Sequence, residues 1–358
     1  MKAARIIEPK KPLKLDEIEL PRPEGSEVLV RVKASGLCHS DIHLWEGGYQ
    51  GPGNTFIKST DRGVKYPLIP GHEIAGTVEE TGNKIADSVF YKDDKVIVYP
   101  WIGEGLCPAC VEGKENLCDD PKSLGIYRDG GFAEYVLVPD LRYLIKINEK
   151  GKGKKIDMDF ASILPCSALT AYSAVKNANL RPYDNIVIVG SGGLGLNAIQ
   201  IAKSLYGVNT IAMDRNNQKL KIAERNGADE TINPNEEDPV KKIKDLTYGK
   251  GAGVVIDFVN SSKSVDTDLE ILRKRGKLLL VGLFGGEVKI NLLSMPTKAY
   301  ELRGSYTGTR EELVELIALA QKGIIRSIVS EKFKLDRSNE ALTKLREGKI
   351  EGRGVLNP

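Results

Sequence analysis

Long apolar runs are missing from this chain. No stretch approaches the roughly 20 residues needed to cross a bilayer, so a membrane is not expected as a partner. Residues 1–7 hold no continuous apolar core of the kind a secretory leader uses. A dominant charge is missing as well. The 52 lysines and arginines against 49 aspartates and glutamates leave a formal charge of +3, which gives no reason to expect nucleic acid as a partner. Histidine is scarce, with three residues, and so is cysteine, with five. An odd cysteine count at close spacing argues against a disulfide framework and for a reducing compartment, the cytoplasm.

The scarce residues cluster. Glu104, Cys107, Cys110 and Cys118 follow one another at zinc-like spacing, a closed four-ligand pattern. The surrounding segment, 103–130, has little periodicity, so a metal would serve to order it. Cys38 and Cys166 stand alone, and with His72 they would form a Cys2His zinc site whose fourth position stays open. A closed site beside an open one suggests metal chemistry, with the second metal holding a loop in shape.

At 358 residues the chain exceeds the ~250–300 at which single cores stop growing, so two domains are expected. The first third reads as β-rich and irregular, with strands at 28–33 and 95–99 between Gly/Pro stretches. Near residue 160 the style changes. Residues 185–189 form a continuous apolar run of buried parallel-strand type, and alternation follows: helix, strand at 210–213, helix at 217–226, strand at 254–257, helix at 264–274, strand at 277–281. This predicts a doubly wound α/β domain, followed by a strand at 301–305 and an amphipathic helix at 310–322.

Gly190, Gly192 and Gly195 sit at the turn from that first strand into its helix, with Gly193 and Leu194 between them, and Asp214 ends the next strand. In a dinucleotide site the three glycines allow, in turn, a tight bend, close approach to the pyrophosphate and close helix–strand packing. The pyrophosphate would meet the helix N-terminus. Asp214 can accept from the adenosine ribose hydroxyls and would repel a 2′-phosphate, which favours NAD over NADP; Arg215 could soften that preference. Val281, at the end of a later strand, is a further coenzyme candidate.

Together these motifs resemble the zinc-dependent alcohol dehydrogenases of the medium-chain dehydrogenase/reductase superfamily, of archaeal or yeast type. The resemblance runs over essentially the full length. It rests on Cys38-His39-Ser40-Asp41-Ile42-His43, Gly71-His72-Glu73, the Glu104/Cys107/Cys110/Cys118 lobe, residues 129–135 (Asp-Gly-Gly-Phe-Ala-Glu-Tyr), Cys166 and the glycine turn. Glu104 departs from the pattern, because the family usually has cysteine there. The family implies a GroES-like catalytic domain over 1–166 with a structural-zinc lobe at 103–120. It implies a Rossmann NAD domain over 167–301 and a return to the catalytic domain over 302–358.

It also implies roles. The Cys2His set Cys38, His72 and Cys166 is the family's known catalytic-zinc arrangement, and two zinc ions and NAD are the expected cofactors. The zinc acts as a Lewis acid on the alcohol oxygen. Ser40 takes the substrate proton, His43 receives it near the surface, and hydride passes to the nicotinamide. Asp41 orients His72, Glu73 approaches the metal during ligand exchange, and His39 and Arg353 contact the pyrophosphate. Trp101, Ser123, Tyr127, Trp45 and Met295 are pocket candidates, and Arg128 could receive a substrate carboxylate. A homodimer or homotetramer is expected, with 277–281 and 283–305 as interface candidates. The reading is NAD-linked oxidation of primary or secondary alcohols to aldehydes or ketones. Alternatives are a polyol, amino-alcohol, semialdehyde or hydroxy-acid dehydrogenase of the same superfamily, or a catalytically silent NAD-binding regulator, against which Ser40 and His43 speak.

Overall fold

The computed structural model describes residues 1–53, 55–86, 89–148 and 153–358. The chain divides into two compact units. One takes Met1–Gly48, Lys58–Leu169 and Gly308–Pro358; the other takes Tyr49–Ile57 and Thr170–Thr307. Residues 49–57 therefore leave the unit that surrounds them in sequence, and the first 166 residues are not one body.

The first unit is built on a seven-stranded sheet. Its path runs Val329–Lys334, Arg353–Asn357, Val28–Gly36, Glu73–Thr81, Lys95–Val98 and Leu144–Lys146, with Tyr135–Val138 also pairing to Val28–Gly36. Val30, Val32 and Ala34 are buried while Arg31 and Lys33 are exposed, the period-2 alternation of a sheet with one dry face. A helix, Met158–Ile163, opens with the Asp157 carboxylate accepting from Phe160 N at 2.9 Å. It widens into a π turn, Leu164–Ala168, before resuming as Leu169–Asn177.

The second unit carries six parallel strands: β1 (Asn185–Val189), β2 (Asn209–Met213), β3 (Glu230–Ile232), β4 (Ala252–Asp257), β5 (Leu272–Leu280) and β6 (Glu301–Gly304). Their order is β3-β2-β1-β4-β5-β6. β1 and β4 are buried almost throughout, as apolar strands covered on both faces must be. Strand order reverses between β1 and β4, the switch point at which such sheets take ligands beyond their carboxyl ends. Helix α1 (Gly193–Ile201) leaves β1 directly.

One expectation needs correcting here. The helix expected over 264–274 is α2 (Ser262–Ile271), and β5 begins at once at Leu272. Strand β3 is only three residues long, and Pro239–Leu246 is an eight-residue helix whose start Asp238 caps, accepting from Val240 N and Lys241 N. Gly195 fixes how closely α1 can pack, since a Cβ there would lie 1.8 Å from the Gly190 carbonyl oxygen. Gly195→Ala is expected to cost about 1–3 kcal/mol, read as a lower urea midpoint of the coenzyme-free protein.

Candidate metal and coenzyme sites

Cys38 precedes the helix His39–Glu46, His72 precedes the strand Glu73–Thr81, and Cys166 sits in the π turn Leu164–Ala168. Wide turns of this kind bring a side chain off its regular helical face and recur at functional sites. Folding brings one ligand atom each of Cys38, His72, Glu73 and Cys166 within 4.8 Å of one another, all in buried residues of the first unit. Cys38 Sγ and Cys166 Sγ lie 4.0 Å apart. That is too far for a disulfide, and near the roughly 3.8 Å between two thiolates on one tetrahedral zinc. His72 Nε2 is buried without a hydrogen-bond partner. A dry site with two paired thiols and an orphaned imidazole nitrogen fits a zinc ion.

Electrostatics favour the ligand form at Cys38. A hydrogen bond from Cys166 and the nearby His72 hold the Cys38 thiol well below its usual range, against the opposing effect of burial. Cys166 is pushed up by that same bond and by burial. Asp41 is fully buried. It accepts from Cys38 N at 2.9 Å and Gly71 N at 3.2 Å, and its Oδ1 lies 3.5 Å from His72 Nδ1. Glu73 Oε1 accepts from Ser167 N at 3.1 Å and from Arg353 Nη2, while Oε2 has no partner. Burial pushes the Glu73 carboxyl up to about 7, with Arg353 pulling the other way.

Arg353 is buried against Glu73, a partner the sequence did not indicate, and its Nε is without a partner. His39 is exposed at the first position of its helix, and Ser40 follows it, with Oγ 3.8 Å from Cys38 Sγ. His43 lies one turn further on and half-buried. Burial pulls its pKa down, with Cys38 opposing. Residues three apart are neighbours on a helix surface, so Ser40 and His43 share a face.

The second group gathers Glu104, Cys107, Cys110 and Cys118 within 4.8 Å. Cys107 Sγ and Cys118 Sγ lie 3.8 Å apart, the separation a shared zinc would impose. Glu104 is turned inward: its amide donates to Cys118 Sγ at 3.3 Å, and its Oε1 accepts from Leu106 N at 2.9 Å and from Cys107 N. Glu115 Oε2 anchors this lobe, accepting from Tyr143 OH at 2.7 Å and Gly103 N at 3.3 Å.

In the second unit Gly190 has φ +90°, a conformation that favours glycine. A Cβ on Gly192 would meet nothing within 4 Å, so the backbone faces open space where a pyrophosphate could approach. Gly193 and Leu194 begin α1, and its N-terminus faces the same turn. Asp214 Oδ2 accepts from Ser191 N at 2.7 Å and Oδ1 from Asn216 N at 2.9 Å, while Arg215 is exposed. Val281 is buried, its N donating to the Asp257 carbonyl at 2.9 Å.

Of the pocket candidates, Trp101 is buried, its ring centroid 5.4 Å from that of His72 and its Nε1 donating to Pro165 O at 2.9 Å. Ser123 is buried, Tyr127 half-buried and Arg128 exposed, in one turn. Trp45 is committed to packing instead. Its Nε1 donates to Lys11 O at 2.6 Å and Arg346 stacks over its ring. Met295 lies in a short helix of the second unit. Sequence reasoning missed Ser167 and the Arg353–Glu73 pair; only the adjacency of Ser167 to Cys166 signalled either.

Residues 24–149 match the alcohol dehydrogenase GroES-like domain, and residues 193–322 match the zinc-binding dehydrogenase family. The chain is 42% identical to an NAD-dependent alcohol dehydrogenase of Sulfurisphaera tokodaii and 40% identical to one of Saccharolobus solfataricus, each over the full length of both chains. The crystal structure of the alcohol dehydrogenase of Aeropyrum pernix superposes with a TM-score of 0.89 at 36% identity, covering all of both chains. Full-length similarity of this order, on a fold carrying both metal-ligand groups, places the chain in the zinc-dependent alcohol dehydrogenases of the medium-chain dehydrogenase/reductase superfamily.

Proposed function

We propose that Cys38, His72 and Cys166 hold the catalytic zinc of this alcohol dehydrogenase, and that Glu104, Cys107, Cys110 and Cys118 hold a structural one. The observation that carries the first assignment is the buried group itself: two thiols 4.0 Å apart beside an imidazole nitrogen with no partner. Glu73 is a fourth donor nearby, its Oε1 held by Ser167 and Arg353 and its Oε2 without a partner; with three ligands from Cys38, His72 and Cys166, the fourth position is left for substrate or water, and Glu73 would approach it during ligand exchange. A zinc ion there supplies Lewis acidity toward the substrate oxygen.

The chain's own residues do the rest. Asp41 fixes the His72 ring and the Cys38 backbone together, so the donor set is formed in advance. Ser40 takes the hydroxyl proton and hands it on toward His43, which burial keeps neutral and able to accept. The Gly190–Gly195 turn and the α1 N-terminus bind the coenzyme pyrophosphate, and Asp214 takes the adenosine ribose and disfavours a 2′-phosphate. His39, at the exposed start of its helix, and Arg353, which gives Nη2 to Glu73 and keeps Nε without a partner, are the side-chain candidates for a phosphate contact. The substrates are small primary or secondary alcohols and the matching aldehydes or ketones.

A cytoplasmic homodimer or homotetramer is the setting we infer. No helix is long and apolar enough to cross a membrane among the described residues. β6 ends the sheet with one side open, and exposed Leu292 and Leu293 lie close by in sequence. Lys277–Leu280, expected at an interface, lies in β5 with partners on both sides and cannot extend the sheet.

Three measurements test these assignments. Ser40→Ala is expected to lower kcat about 10²–10⁴-fold with Tm unchanged; a rate near wild type removes the relay. Gly192→Val is expected to abolish NADH binding while leaving the coenzyme-free Tm intact, because the added side chain enters open space. Mild chelation that removes one zinc is expected to lower Tm by about 5 °C while a fully loaded active site still transfers hydride. An unchanged Tm after loss of that zinc removes the structural role.

A further inference from the structure

Asp257 ends β4 and Asp268 lies on α2, and both are fully buried. Asp257 Oδ1 accepts from Val259 N at 2.7 Å and Asn260 N at 2.8 Å. Its Oδ2 and both carboxyl oxygens of Asp268 are buried with no hydrogen-bond donor reaching them, and the Asp257 and Asp268 carboxyls are neighbours. Two facing acceptors need a proton between them, and two buried carboxyls side by side cannot both ionise. The proton belongs on Asp268. Two amide donors stabilise the charge on Asp257, and nothing comparable reaches Asp268. Burial and the Asp257 charge accordingly hold Asp268 well above the usual carboxylate range.

What hangs on Asp257 is the wall of the switch point. Its carbonyl accepts from Val281 N at 2.9 Å and Gly282 N at 3.0 Å, and the next residue, Phe258, donates to Val189 O at 2.9 Å. Asp257 and Phe258 thus join the end of β1 to the backbone just beyond β4 and β5. A dinucleotide crosses a doubly wound sheet just outside these carboxyl ends. With Asp214 on the β2 side taking the adenosine ribose, the β4–β5 side faces the other half of the coenzyme.

We propose that Asp268 is a positioning residue for the coenzyme: it donates a hydrogen bond to Asp257 Oδ2 and thereby fixes the 258–260 and 281–282 backbone against which NAD is held. This rests on the coenzyme assignment made above.

The test uses coenzyme-free full-length protein, with NADH affinity measured by fluorescence titration and amide exchange followed at Val259, Asn260 and Val281. Asp268→Ala leaves Asp257 Oδ2 buried without a donor. It is expected to weaken NADH binding about tenfold and to speed exchange at those amides. Asp268→Asn keeps a donor and is expected to restore both to within about twofold. Asp268→Leu provides the same comparison as alanine if the alanine variant does not fold. Val265→Ala, a core change on the same helix, is expected to lower Tm without moving the NADH affinity.

Wild-type affinity in Asp268→Ala or Asp268→Leu overturns the proposal. So does an asparagine variant as weak as alanine, or an equal loss in Val265→Ala. Gly192→Val separates the two levels of argument. If it still binds NADH, the coenzyme assignment itself fails; if it does not bind while Asp268→Ala binds normally, only the positioning role fails.

Discussion

The first unit depends on one buried carboxylate. Asp41 is fully enclosed, and an unpaired charge in such a place would cost several kcal/mol. It survives because three groups converge on it: Cys38 N, Gly71 N and His72 Nδ1. Those groups come from a helix start and from the approach to a central strand. Satisfying the carboxylate therefore forces Cys38 and His72 into register. Once they are registered, the π turn has only to deliver Cys166, which it does by turning aside one helical side chain.

The same device recurs at other points of function. Glu73 is tied by Ser167 N and Arg353, Asp214 by Ser191 N and Asn216 N, and Asp257 by Val259 N and Asn260 N. In each case a carboxylate takes backbone or guanidinium donors and so ties together segments of different elements or of one turn. Groups held this way need little reorganisation when a ligand arrives, which is how electrostatic preorganisation lowers barriers. Arg353 gives Nη2 to the buried Glu73, and that pairing offsets its own desolvation while its Nε stays without a partner.

What was legible in the sequence was local. Gly190, Gly192 and Gly195 follow an apolar run and open a helix within six residues, so spacing alone conveys the turn. Glu104, Cys107, Cys110 and Cys118 lie in one loop and their pattern carries its own geometry. Strand β1 coincides with the predicted 185–189, because a continuous apolar run has few other places to go. What was not legible depended on contacts across the chain. Nothing near Arg353 names Glu73 as its partner, 280 residues away. Trp45 looks like a pocket residue until Lys11 and Arg346 are seen to hold it. Asp268 reads as an ordinary polar position on an amphipathic helix, and only the fold turns it inward onto Asp257.

The two thiol-rich groups differ in what holds them when metal ligation is set aside, and that difference separates their roles. The Cys38–His72–Cys166 group is embedded between a sheet and helices, its donors fixed by Asp41 and walled by Trp101. Its geometry belongs to the core, so a metal there can give up a coordination position to substrate without loosening the fold. The Glu104–Cys118 segment has only one four-residue helix and one 3₁₀ turn. Leu106, Val111 and Leu117 are exposed, and the anchoring runs mainly through Glu115 to Tyr143 and Gly103. Such a loop buries too little apolar surface to offset its own ordering entropy. Four protein ligands on one ion would supply what packing does not, and a metal fully committed to holding the loop would have no position left for chemistry.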